Sequence, residues 1–113
     1  MKIKSENIEN IGVLRLEGEL DASTAIDVDK AIKLHLEKGK KHLIIDGAKL
    51  DYISSAGIGV FVAYLEAVQE NNGKIAFCAL TPSVLSVFQM LGIDQIMTIV
   101  DDEQSAKTNL FES

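Results

Sequence analysis

Residues Val13 to Glu17 alternate between two faces, Leu14 and Leu16 on one and Val13, Arg15 and Glu17 on the other, the two-residue period of a half-covered strand. Lys2 to Ile8 is short and charged, and Glu9-Asn10-Ile11-Gly12 offers turn chemistry. The chain is therefore expected to open with an antiparallel hairpin whose outer strand is an edge protected by Lys2 and Lys4. After Gly18-Glu19-Leu20-Asp21 the period lengthens. Ala25, Val28, Ile32 and Leu36 recur at helical spacing up to Lys38, with Asp21, Ser23 or Thr24 available as cap and Gly39 as terminator. Leu43-Ile44-Ile45 is continuously apolar, as expected of a strand covered on both sides or nearly so. Ile58, Phe61, Val62, Leu65 and Val68 form the stripe of a second helix, from Ser55 to Asn71, ended by Asn72-Gly73. Lys74 to Leu80 reads as another buried strand. Thr81-Pro82 opens a third helix carrying Val84, Val87, Phe88 and Leu91 and stopped by Gly92. Ile96 to Val100 is a short last strand, and Asp101-Asp102 caps a weak terminal helix containing Ala106 and Leu110.

The predicted order, β-β-α-β-α-β-α-β-α, is that of an α/β fold with a mixed, mainly parallel sheet. Parallel strands joined by right-handed crossovers stack their helices on the same side, so the helices are expected on one face. At 113 residues, 47% apolar and 25% charged, without repeat, linker or low-complexity segment, the whole of 1–113 reads as one domain. The net charge of −6, from 17 acidic and 11 basic residues, opposes the counterion release that drives nucleic-acid binding, so no direct nucleic-acid contact is expected. Lys38, Lys40 and Lys41 read as a solvated helix end. No apolar run approaches the ~20 residues of a spanning helix, so no membrane insertion is expected. The lone Cys78 and the polar start MKIKSENIEN point to a reducing, cytoplasmic setting.

Catalytic motifs are the next question. Gly57-Ile58-Gly59 would need a third glycine where Val62 stands, and its glycines fall inside the helical pattern, so a nucleotide-binding turn is not indicated. The chain has neither a phosphate-cradling loop nor a nucleophile elbow, which disfavours a small hydrolase or nucleotide-binding enzyme. His35 and His42 read as boundary histidines with ordinary hydrogen bonds, Cys78 as a small core residue, and no Cys/His spacing suggests zinc. No enzyme activity, cofactor or metal is expected. What remains is Leu50 to Gly59, where a parallel strand leads into a helix, the place where ligands and partners approach open α/β sheets. The serines there can cap the helix. A serine at a helix start can also accept a phosphate, because free N–H groups and the positive dipole end favour the dianion.

Gly18-Glu19-Leu20-Asp21 with Thr24, Leu43-Ile44-Ile45-Asp46, Ser54-Ser55-Ala56-Gly57-Ile58-Gly59-Val60, and Cys78-Ala79-Leu80-Thr81-Pro82 followed by Leu91-Gly92 are spread over nearly the whole chain. Together they resemble the STAS domain family, and within it the stand-alone bacterial anti-sigma factor antagonists, or anti-anti-sigma factors. The resemblance implies a non-catalytic switch. Unmodified, the protein would bind an anti-sigma factor that is also a serine kinase and free a sigma factor; phosphorylated, it would not bind, and a separate serine phosphatase would reset it. It implies Ser55, in Ser55-x-Gly57-x-Gly59, as the phosphoacceptor. Ser54, standing where the family commonly has aspartate, is the second choice. Asp21 matches an acidic position at the kinase interface, and Asp21, Thr24, Ser54, Ser55, Gly57 and Ile58 are the expected partner-binding residues. The alternative is a STAS-type regulatory or accessory subunit of another partner-switching or transport system. With Ser55 as cap, Gly57 falls in the first turn of the helix. Gly57→Leu is then expected to fold, with a change of no more than about 1 kcal/mol, and to lose the partner.

Overall fold

The computed structural model describes residues 1–111. A two-residue turn, with Glu9 at φ +52°, joins β1 (Lys2–Ile8) to β2 (Ile11–Leu20). Then follow α1 (Ala25–Glu37), β3 (His42–Ile53), α2 (Ser55–Glu70), β4 (Ile75–Cys78), α3 (Pro82–Met90), a 3-10 turn (Ile93–Gln95), β5 (Thr98–Val100) and α4 (Glu103–Phe111). The strands lie side by side in chain order, β1-β2 antiparallel and the remaining neighbours parallel. This is the mixed, mainly parallel sheet that the alternating periods predict.

Helices α1, α2 and α3 share one face. Val28 and Ile32, Ile58, Phe61 and Val68, and Val84 and Phe88 pack there on Leu14, Leu16, Leu43, Ile45 and Phe77. Phe77 links the second and third helices through edge-to-face contacts with Phe61 at 5.0 Å and Phe88 at 4.9 Å between ring centroids. The expectation that all helices lie on one face fails for α4. Its Ala106 and Leu110 cover the opposite face, against Ile11, Val13, Ile44, Ala76 and Cys78. Crossover handedness governs only helices that lead to a further parallel strand, and among the described residues no strand follows α4. The uninterrupted Leu43-Ile44-Ile45 run supplies apolar surface on both sides, and α4 covers the second. Arg15 ties that helix down. Its guanidinium donates to both Glu6 oxygens at 3.1 Å, to Asp46 Oδ2 at 2.8 Å and to Glu103 Oε1 at the start of α4.

Element boundaries differ from the predicted ones most in β3, which runs on past Ile45 to Ile53 with two register irregularities opposite β2. A single residue, Ser54, therefore separates β3 from α2. At the other end of the sheet lie both histidines. The Nδ1 atom of His42 accepts the Lys74 N–H at 3.0 Å, the ordinary hydrogen bond expected. His35 departs from expectation: it is 2% exposed, and neither ring nitrogen has a partner among the described residues. The ring fits only because residue 12 is glycine, where a Cβ would come within 2.6 Å of it. Burial, aided by Lys38 and Lys40 for His35 and by Lys41 and Lys74 for His42, lowers both pKa values.

Candidate functional site at the carboxyl ends of β2 and β3

In the parallel register Leu20 stands opposite Ile53, so the turn entering α1 and the turn entering α2 emerge side by side. The first is closed by its own side chains. The Asp21 carboxylate accepts from Ser23 Oγ at 2.6 Å, Ser23 N–H at 2.9 Å and Thr24 N–H at 3.2 Å. These bonds, that from the Ser23 hydroxyl foremost, hold its carboxyl below the usual range. The Thr24 hydroxyl donates to the Glu19 carbonyl at 2.8 Å and accepts the Asp21 N–H at 2.9 Å. Of the three candidate caps Thr24 occupies the N-cap position, yet its hydroxyl serves the turn and makes no cap bond to the helix.

The second turn separates the two serines. Ser54, half-buried and extended at φ −98° and ψ 169°, is the N-cap of α2, its Oγ accepting the Gly57 N–H at 3.2 Å. Its own N–H donates to the Leu20 carbonyl at 2.9 Å. Ser55 is thus the first helical residue and not the cap, and it is exposed, as is Ala56. Two of the expected partner-binding positions point elsewhere. Ile58, 3% exposed, belongs to the core cluster between sheet and helices. Gly57 is buried, and a Cβ there would lie 2.6 Å from Leu20 Cγ and 3.1 Å from the Leu20 carbonyl oxygen. The expectation that Gly57→Leu folds at little cost is therefore corrected, since a leucine there must displace Leu20, itself fully buried. What the fold brings to the surface together is Asp21, Thr24, Ser54 and Ser55. Sequence reasoning does not single out Leu20, although it stands inside Gly18-Glu19-Leu20-Asp21; its role depends on a pairing across strands.

The family model described as the STAS domain matches residues 2–106 of the chain. The chain belongs to the STAS domain family. Among its relatives, the anti-sigma F factor antagonist of Paenibacillus polymyxa is 29% identical over 114 residues, covering 97% of this STAS chain and 95% of the relative. The anti-sigma-B factor antagonist of Listeria monocytogenes is 27% identical over 109 residues, covering 96% and 95%. The fold recurs in a solved anti-sigma factor antagonist from Mycobacterium paratuberculosis, with a TM-score of 0.88 at 21% identity over 96% of this chain and 92% of that one. It recurs also in SpoIIAA. The unphosphorylated form has a TM-score of 0.75 at 18% identity, covering 96% of each chain. The phosphorylated form, from Bacillus, has a TM-score of 0.73 at 20% identity, covering 95% of this chain and 98% of that one.

Proposed function

We propose that this STAS domain is an anti-sigma factor antagonist acting in the cytoplasm as a binding switch without a reaction of its own. Unmodified, it binds an anti-sigma factor of serine-kinase type and frees a sigma factor; phosphorylated on Ser55 it does not bind, and a serine phosphatase restores it. The observation that carries this reading is the placement of an exposed Ser55 on the first turn of α2, beside the Asp21 turn. The curated relatives named as antagonists of anti-sigma factors support it.

Geometry favours Ser55 over Ser54 as acceptor. Esterifying Ser54 would burden the oxygen that caps Gly57, whereas Ser55 lies free on the surface at a helix start. There the first N–H groups have no intrahelical partner and the dipole end is positive, so a phosphate is accommodated without unfolding. In the complex the same dianion would be desolvated against a surface matched to a neutral hydroxyl. An unpaired buried ion costs several kcal/mol, and ~3–4 kcal/mol corresponds to ~10²–10³ in affinity. Ser55→Ala is expected to remain a binder that cannot be switched off, and Ser55→Asp, with less charge than phosphate, to be partly impaired. The test is to phosphorylate the protein, map the modified residue by mass spectrometry and titrate the anti-sigma factor. Modification at Ser54, or undiminished affinity of the phosphoprotein, would refute the proposal.

A further inference from the structure

We infer that the missing side chain at Gly57 sets the spacing between the Asp21 turn and the Ser54–Ser55 turn, so that Gly57 and Leu20 are positioning residues for the partner surface. The consequence for binding rests on the function proposed above; the geometry does not.

Three contacts close a ring around the last residue of β2. The Leu20 carbonyl accepts the Ser54 N–H at 2.9 Å, the Ser54 hydroxyl accepts the Gly57 N–H at 3.2 Å, and the α carbon of Gly57 lies over the Leu20 side chain, where a Cβ would come within 2.6 Å of Cγ. Leu20 has no room to retreat, because it is fully buried in the core. Nor can it shift alone. The Thr24 hydroxyl clamps both its neighbours, donating to the Glu19 carbonyl and accepting the Asp21 N–H. A side chain at position 57 therefore pushes on a strut that carries Asp21 and Thr24 with it. The two turns separate although no surface residue has changed, and a binding surface loosened in this way loses affinity through geometry.

The experiment compares Gly57→Ala, Leu20→Ala and the double variant by amide spectra, by denaturation, and by titration with the anti-sigma factor of the same organism. Gly57→Ala is expected to shift the Ser23 and Thr24 amides, far from it in sequence, and to weaken binding by about tenfold. In the double variant, affinity should rise at least about threefold above that of Gly57→Ala, while stability stays below that of the wild type. A purely structural role for Gly57 would make affinity follow stability instead. Unshifted Ser23 and Thr24 amides, wild-type affinity in Gly57→Ala, or a double variant as weak as Gly57→Ala would overturn the inference. If Gly57→Ala does not fold, recovery of folding on adding Leu20→Ala supports the contact, and failure to recover overturns it. A wild-type protein that does not bind the anti-sigma factor refutes the functional reading. The amide shifts, which need no partner, still decide the geometric one.

Discussion

Removing the Ser54 hydroxyl leaves the Gly57 N–H without its acceptor at the start of α2, a loss of about 1 kcal/mol by the usual worth of a helix N-cap. Ser55, one residue on and exposed, should tolerate alanine within about 0.5 kcal/mol. Urea denaturation of Ser54→Ala and Ser55→Ala measures both, and equal losses would contradict the assignment of Ser54 as the sole cap. The place of this site was legible in the sequence, because the apolar run before it and the helical stripe after it leave little room for the junction. Which serine caps was not legible. The choice depends on where β3 stops, and β3 stops at Ile53, opposite Leu20 at the end of β2. The burial of Gly57 was hidden as well, because the Leu20 it packs on belongs to β2, more than thirty residues earlier in the chain, whereas that of Ile58 follows from its place on the apolar stripe of α2.

Helix α4 is held to the sheet by packing and by charge. Two of its side chains, Ala106 and Leu110, are buried, and Glu103 meets Arg15 at its first turn while pairing with Lys107 at 2.8 Å one turn on. Beneath it lies Cys78, whose thiol burial pushes up to about 12, so that in the closed state it is protonated and inert. Labelling of Cys78 by a thiol reagent therefore reports the opening of α4. Glu103→Gln is expected to speed labelling several-fold beyond what its loss of global stability accounts for, and added salt to speed it in the wild type. Labelling that follows global unfolding alone would show that α4 does not open by itself. Helices α1 to α3 were legible because each pairs a 3.6-residue stripe with a stop signal. The face taken by α4 was not, since no crossover constrains it. The second half of β3 was missed because Asp46-Gly47-Ala48-Lys49 has no strand alternation; its pairing with β2 makes it a strand.

Across the molecule as a whole, acid should weaken the fold in two stages. Both histidines are held below the ordinary value of 6.5, chiefly by burial. As pH falls through that value the unfolded chain takes up protons that the folded chain refuses, so stability declines until the folded imidazoles ionise, and above it this source contributes no pH dependence. Glu103, which Arg15 and then Lys107 hold at about 2 against an ordinary 4.5, adds a second decline between those limits, because its stabilisation is present above 4.5 and lost as pH falls toward 2. Urea midpoints across a pH series check both stages, and His35→Leu should flatten the first. A midpoint that stays level or rises from about pH 7 to about pH 5 would contradict the account. The order of the strands bears on how the molecule is made. Because spatial order repeats chain order, no strand is inserted between two others, and each β-α unit adds to an edge already in place. Each addition closes a loop of one crossover, which keeps its entropy cost low. A nascent chain that has emerged as far as Glu70 already contains β1, β2, β3, α1 and α2. Both turns of the proposed partner surface, and the Leu20 strut between them, are thus synthesised before the aromatic stack is complete, while Phe77 and Phe88 are still to be added.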